Sequence, residues 1–475
     1  NTQGARSVAI GYAALDAQNY TTDTSAYNIG IGYEAGGAVT TGLRNNFIGG
    51  LAGDATTAAD DNIALGYNTL GANTLGSRSV AVGTDALASQ NYTTATNGYN
   101  VAVGYDAGQE ITTGVQNTIV GALAGDSLTD ADANVAVGIG ALGSDVLGGS
   151  AVAIGSFALG SQNFTTATTS YNVAVGQSAG GSISTGTQNT LVGGLAGDAI
   201  TTGTKNNAFG YNALGATTEG QFNNAFGEAA LLSNTTGDSN IAIGGSALRA
   251  NTDQDKNTAV GESSLRVNVN GAKAVAVGSG SLQNQNPSTD TDTYNVAVGV
   301  DAGNDVTTGL YNTIMGGLAA DVLTTGGSNV VVGVDALGAD TQGSRAVALG
   351  MNALLRQNFT TATNSYNVAV GFSAGDHITT GTENILVGAF AGDALTDTDF
   401  NVAVGSEALS SDTLGGRSTA VGRAALNSQN FTTATNSNNT AVGFDAGKSV
   451  TTGDQNTFLG SLAGDAVTTG TRNVA

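Results

Sequence analysis

The sequence predicts an all-β protein, a parallel β-solenoid of about 27 coils forming one continuous repeat domain over residues 1–475. Three observations carry that prediction. A short unit, Asn-x-Ala-Val-Gly-x-x-Ala followed by Leu or Gly, recurs from end to end at two fixed intervals, one short and one long. The large and small apolar residues of the unit return at the same place in every copy. The composition favours tight turning over helix, since 72 of 475 residues are glycine, about twice the usual share, and only one is proline.

The period can be read off one glycine per coil. From Gly11 to Gly460 there are 26 such markers. Of the 25 intervals between them, 19 equal the step from Gly32 to Gly49, a period of 17, and six equal the step from Gly11 to Gly32, a period of 21. A large apolar residue precedes the marker in all 26 copies, and alanine stands three places after it in 23, with Thr69, Ser264 and Ser281 in the others. A position that returns to the same chemistry at every coil stacks on its own copies, as solenoids do. Val-Ala-Val-Gly is short, alternating and β-branched, so it reads as a strand. Thr-Thr-Gly, as in Thr112-Thr113-Gly114 and Thr379-Thr380-Gly381, reads as a turn. A coil this short leaves room for two or three brief strands and for no helix.

A slower rhythm lies over the coils. The long intervals follow Gly11, Gly83, Gly155, Gly278, Gly350 and Gly422, which gives super-repeats with a period of 72, as from Gly11 to Gly83, and extra plain coils at about residues 210–278. In each super-repeat one coil replaces the strand alanine by Phe47, Ile119, Leu191, Ile314, Leu386 or Phe458. The same coil carries Leu51, Leu123, Leu195, Leu318, Phe390 or Leu462 two places after the glycine. Bulk on one level in four of a face that otherwise shows alanine is expected to meet a neighbouring wall, most simply another copy of the chain. Asparagine opens the strand in 21 of 27 copies; Ser7, Ser79, Ala151, Ala274, Ala346 and Ser418, the six exceptions, precede the long intervals. An asparagine ladder is expected along the stack, with the long loop filling the space where it is interrupted.

Charge narrows the function. Lys and Arg number 14 against 37 Asp and Glu, a net charge of −23, so nucleic acid is not an expected partner and neither is an anionic membrane. No apolar run reaches the roughly 18 residues that a membrane-spanning helix needs, so membrane insertion through a helix is not expected either. With no cysteine, no disulfide or cysteine-ligated zinc holds the chain together.

Ser7-Val8-Ala9-Ile10-Gly11 and Ser79-Val80-Ala81-Val82-Gly83 resemble the repeats of trimeric autotransporter adhesin heads. The form running from Asn257 to Gly261, and again from Asn439 to Gly443, is similar to repeats of phage tail-fibre and marine bacterial surface proteins. The resemblance covers the whole chain. It implies a left-handed β-roll with three chains side by side in an extracellular fibre, on a virion or a cell surface. It also implies further fibre domains at both ends, such as an anchoring barrel or a terminal chaperone domain, which this sequence does not contain. The coils here are longer than those of adhesin heads, and the recurrent long loops depart from that pattern.

Several motifs of catalysis occur in the repeat register. Gly176-Gln177-Ser178-Ala179-Gly180 and Gly371-Phe372-Ser373-Ala374-Gly375 match a nucleophile elbow, yet one histidine, His377, cannot serve two serines. Gly138-Ile139-Gly140-Ala141-Leu142-Gly143 matches a dinucleotide fingerprint without the helix that mechanism needs. Gly443 to Ser449 is a P-loop one residue short. A non-enzymatic protein without a resident cofactor is therefore expected. Calcium is the one metal with a pattern: Asp130, Asp132 and Asn134, and at the equivalent place Asp397, Asp399 and Asn401, put oxygen ligands at alternate residues. Solvated turn aspartates account for the same residues.

The long loops are the receptor-contact candidates. They place Asn19 and Tyr20, Asn91 and Tyr92, Asn163 and Phe164, Asn358 and Phe359, and Asn430 and Phe431 at one position of the coil, after a glutamine and before two threonines. A row of rings and amides suits glycan binding, with multivalent attachment to a host cell-surface glycan or protein; equally, the rings cap the roll or fill its gaps. The competing class is a purely structural surface filament or surface-layer protein without a receptor. An ice-binding solenoid needs threonines at alternate residues on a flat face, whereas here they are adjacent.

Overall fold

A computed structural model describes residues 3–475. The chain divides into two compact units, Asn1–Thr236 and Gly237–Ala475, at a point inside the run of plain coils. Each unit is a parallel β-solenoid, and together they make about 27 turns, with no helix among the described residues. Among the described residues no helix is long and apolar enough to cross a membrane. In the first unit 13 three-residue strands, from Val8–Ile10 to Asn224–Phe226, form one sheet; in the second 13 more run from Ile241–Ile243 to Thr457–Leu459. Neighbouring strands pair in register at the repeat interval, Val101 lying between Val80 and Thr118. The long intervals add a two-residue pairing, as where Gly76–Ser77 meets Thr96–Asn97.

Strand chemistry explains the register. The middle residue points into the coil and the outer two point out, so Ala81 is fully buried between half-buried Val80 and Val82. The marker glycine then turns the chain where no side chain fits. Gly138 has φ +137°, and a Cβ there would lie 2.5 Å from the carbonyl oxygen of Gly155 in the next coil.

The bulky strand residues overturn the expectation of a neighbouring wall. Phe47, Ile119, Leu191, Ile314, Leu386 and Phe458 are all fully buried inside their own coils. They occupy space left by two small residues, both glycine in five of the six cases and Gly303 with Ala320 beside Ile314. A Cβ on Gly36 or Gly53 would come within 2.8 or 2.6 Å of the Phe47 ring, where most coils carry a buried leucine such as Leu70 or Leu87. The core exchanges bulk between positions at constant volume, as close packing requires. The companion residues two places after the marker do face outward, among them Leu123, Leu318, Phe390 and Leu462.

The asparagine ladder is present, with amide-to-amide bonds at several rungs, as from Asn117 Nδ2 to Asn100 Oδ1 at 3.3 Å, and with backbone groups tied in at each step. The Asn206 backbone N–H donates to Asn189 Oδ1 at 3.0 Å, and Asn206 Oδ1 accepts from the Asn223 N–H at 3.0 Å. Its Nδ2 donates to the Gly220 carbonyl at 2.8 Å, closing its own coil. Each side chain thus ties three backbone segments at a depth where an unpaired polar group is costly.

Candidate functional site

The long loops lie over the interrupted rungs, and they turn inward. In the second super-repeat Gln90 stands in the place of the missing asparagine: its Oε1 accepts from Asn100 Nδ2 at 2.9 Å and its Nε2 donates to the Ser79 hydroxyl at 3.3 Å. The adjacent aromatic goes in with it. Tyr20, Tyr92, Phe164, Phe359 and Phe431 are only 4–7% exposed. The Tyr92 hydroxyl donates to the Gly114 carbonyl at 2.8 Å and accepts from Asn100 Nδ2 at 3.2 Å, and burial pushes its pKa up to about 12. A ring held inside the coil has no free face for a sugar, so these five aromatics cap the roll. Asn19, Asn91, Asn163, Asn358 and Asn430 remain exposed beside them. Asn91, Asn358 and Asn430 accept from the threonine hydroxyls of the preceding coil.

Within one chain the three residues of each calcium pattern point apart. Asp130 accepts from the Thr113 hydroxyl at 2.5 Å and Asp132 from the Val115 N–H at 2.7 Å, each towards the coil before it. Asn134 points the other way, fully buried as a rung of the ladder. The second set repeats the arrangement: Asp397 takes the Thr380 hydroxyl, Asp399 takes the Thr382 N–H at 2.6 Å, and Asn401 is a buried rung. Alternate residues on a strand leave on one face only if the strand continues, and here the chain enters a turn between them. Among the described residues no group of three or more His, Asp or Glu converges as a metal site.

A row of half-buried aspartates follows the core glycines. Asp54, Asp198 and Asp393 each keep one carboxylate oxygen buried without a hydrogen-bond partner. Burial raises all three pKa values, that of Asp393 to about 6, with the neighbouring His377 pulling it back down. His377 Nδ1 lies 3.0 Å from the Asp393 carbonyl oxygen.

The most distinctive surface was not singled out by the sequence reading. It is the residue immediately before the ladder position, present in 27 copies. Nine of the 14 cations stand there: Arg6, Arg44, Arg78, Lys205, Lys256, Lys273, Arg345, Arg417 and Arg472. Eight aromatics share the column, including Tyr27, Tyr99, Tyr171, Tyr294 and Tyr366, which are 48–61% exposed. Only two of the 37 acids, Asp61 and Glu383, fall in it. The cations lie over the rings of the next or previous coil: Arg78 is 5.8 Å from the Tyr99 centroid, Lys205 is 4.8 Å from Phe222, and Arg345 is 5.5 Å from Tyr366. Sorting charges by coil position, rather than along the chain, is the signal that finds this column.

Several clefts open beside it in the second unit, one of them lined by Tyr366 and Glu383. Another, of about 290 Å³, is lined by Phe400, Arg417, Asp399, Thr435 and Asn436; a third, of about 270 Å³, by Tyr311, Arg345, Ser344 and Asn364. The latter two include a residue of a long loop, Asn436 or Asn364. No protein-family model matches the chain, and no curated protein matches it.

Proposed function

We propose that the chain is a non-enzymatic segment of an extracellular fibre, a phage tail fibre or a surface adhesin, that supplies reach and multivalent attachment to a host surface. One observation carries the reading. The same kind of exposed cation and ring returns at equivalent points of four of the six super-repeats, Arg6 with Tyr27, Arg78 with Tyr99, Lys273 with Tyr294 and Arg345 with Tyr366. Catalysis needs groups that converge once, whereas attachment gains from one weak contact repeated on a stiff support, because linked contacts raise each other's effective concentration.

Assembly belongs to the same proposal. The first and third strand positions carry no charged residue in any of 26 coils, and many of their Val, Ile and Leu side chains are exposed. Three copies side by side would cover those columns, as apolar sheet faces require. Sedimentation of the full chain is expected to give three times its mass of 46.5 kDa; a monomer at micromolar concentration would refute the trimer. For attachment, beads carrying the chain are expected to stay on cell surfaces under flow and to be displaced by free chain. Beads that wash off every surface tested would leave the purely structural filament, a reading that the apolar strand columns favour on their own.

A further inference from the structure

We infer that the cation–aromatic column and the clefts beside it form a repeated site for an acidic polysaccharide, a polymer of sugar rings bearing scattered carboxylate or sulfate groups. The inference rests on the attachment role proposed above and names its ligand.

Charge segregation is the first argument. In a chain of net charge −23, one coil position in 27 copies collects nine cations and two acids, while the position just before it holds six aspartates and no cation, so the cations are segregated to a single column. These cations are also left largely unneutralised. Arg6 and Arg345 lie beside tyrosine rings and donate to the neutral hydroxyls of Tyr27 and Tyr366, Lys205 and Arg417 rest on phenylalanine rings, and among the described residues ion pairs at the column are confined to Arg44 and Arg78 with Asp60 or Asp61, and Lys273 with Asp292. A ring holds a guanidinium in place without cancelling its charge, which leaves the charge for an anion from solution.

The chemistry around each cation is that of a sugar site. Exposed tyrosine rings offer flat apolar faces to the C–H face of a pyranose, the guanidinium offers a fork to its carboxylate or sulfate, and the cleft walls supply hydroxyl partners. Asp399 and Asn436 do so near Arg417, and Ser344 and Asn364 near Arg345. A carboxylate such as Asp399 suits a ligand rich in hydroxyl groups and not one that is densely anionic. Spacing argues the same way. Successive cations of the column are one to seven coils apart, whereas duplex DNA carries about one charge per 1.7 Å and would meet mostly acidic surface between them. A polymer with sparse charge and long neutral stretches matches the column.

The third super-repeat contains its own control. It keeps the ring, Tyr171, and has Ser150 where the others have a cation.

Binding of fluorescent alginate (carboxylate) and heparin (sulfate) oligosaccharides to the full chain tests the inference, with neutral dextran and single-stranded DNA alongside. At least one acidic glycan is expected to bind, dextran is not, and added salt is expected to weaken the binding. The variant carrying Arg78→Gln, Arg345→Gln and Arg417→Gln is expected to lose affinity about tenfold or more, while Ser150→Arg gains affinity. All four positions lie at the surface, and an unchanged circular dichroism spectrum and melting temperature confirm folding. Absence of binding by both acidic glycans, equal binding of dextran, or an unaffected triple variant would each overturn the inference. Preference for the DNA would replace the ligand with nucleic acid, and a changed sedimentation rate in the triple variant would reassign the column to contacts between copies. If beads attach equally well with the triple variant, the attachment role stands and this site falls; if the unaltered chain attaches to nothing, the role itself falls.

Discussion

Constant-volume exchange in the core can be tested at a single level. Leu191 replaces the strand alanine and is fully buried; a Cβ on Gly180 would sit 2.8 Å from its Cδ1, and one on Gly197 2.9 Å from its Cδ2. The next coil fills the same space with Ala208 and Leu214. Leu191→Ala alone leaves a cavity beneath two glycines and is expected to cost about 3–5 kcal/mol. Gly197→Leu alone drives a new side chain into Leu191 and into Ile200, whose Cδ1 is 2.7 Å from the added Cβ, and is expected to cost about 1–3 kcal/mol. The backbone is no obstacle, since φ is +57° at Gly197 and +56° at Leu214. Together the two changes rewrite the coil in its neighbour's pattern. The double variant is therefore expected to be more stable than Leu191→Ala, with a favourable coupling of about 2–4 kcal/mol. Hydrogen exchange of the strands Val173–Val175, Thr190–Val192 and Asn207–Phe209 reads the local opening free energy. Additive or worse-than-additive losses would show that bulk is not exchanged between the two positions.

Asn206→Ala removes the partner of the Gly220 carbonyl and of the Asn223 N–H, and is expected to speed exchange across the adjoining coils by a loss of about 2–4 kcal/mol. Thr56 is fully buried with its hydroxyl unpartnered, where the corresponding coils have Leu128, Ile200 or Leu395. Thr56→Val is accordingly expected to stabilise the Asn46–Ile48 region by about 1 kcal/mol in urea unfolding or exchange; a loss would refute the unpartnered hydroxyl. Asp393 has a folded pKa of about 6 against an ordinary 3.8, so its contribution favours folding fully below 3.8 and is lost as pH rises through 6. The melting temperature is expected to rise on mild acidification from pH 7 to 5, and Asp393→Asn is expected to flatten part of that rise; a pH profile identical in the variant would show that the carboxyl carries none of it.

Much of the fold was legible because a solenoid writes its geometry as a period. The marker glycines, the inward alanines and the turn threonines each meet their own copies, so one coil explained explains the others. What could not be read was the direction of a side chain where two solutions share one spacing. Phe47 could face another chain or fill a hole, and only the paired glycines Gly36 and Gly53 decide it. Tyr92 and Phe164 could face solvent or cap the coil, and the decision lies in the buried glutamine beside them. Within one chain the calcium pattern does not converge, because alternation was counted across a turn. The cation column was missed because its members lie a full coil or more apart, and composition along the chain dilutes them among acids.

The loop aromatics show how fully this fold spends its interior polar groups. Where the loop has tyrosine, as at Tyr20, the hydroxyl accepts from Gln18 Nε2 at 3.1 Å. Where it has phenylalanine that acceptor is gone, and an aspartate appears one coil before the glutamine. Asp145 accepts from Gln162 Nε2 at 2.5 Å and from the Phe164 N–H at 3.0 Å, and Asp340 and Asp412 repeat the arrangement with Gln357 and Gln429. Asn73 suffices in the tyrosine loop of the second super-repeat, where it accepts from Gln90 Nε2 at 3.4 Å. Tyrosine with asparagine and phenylalanine with aspartate are thus two closed sets of donors and acceptors for one buried site, and changing one member alone leaves a polar atom unpaired. Residues bound by that accounting are constrained by the fold itself, so their recurrence carries no message about a receptor. The side chains of the column of cations and rings stand outside that accounting, although their backbone shares the left-handed conformation the stack imposes, φ +61° at Arg78 and +49° at Tyr99, and it is their repetition at the surface that calls for a function.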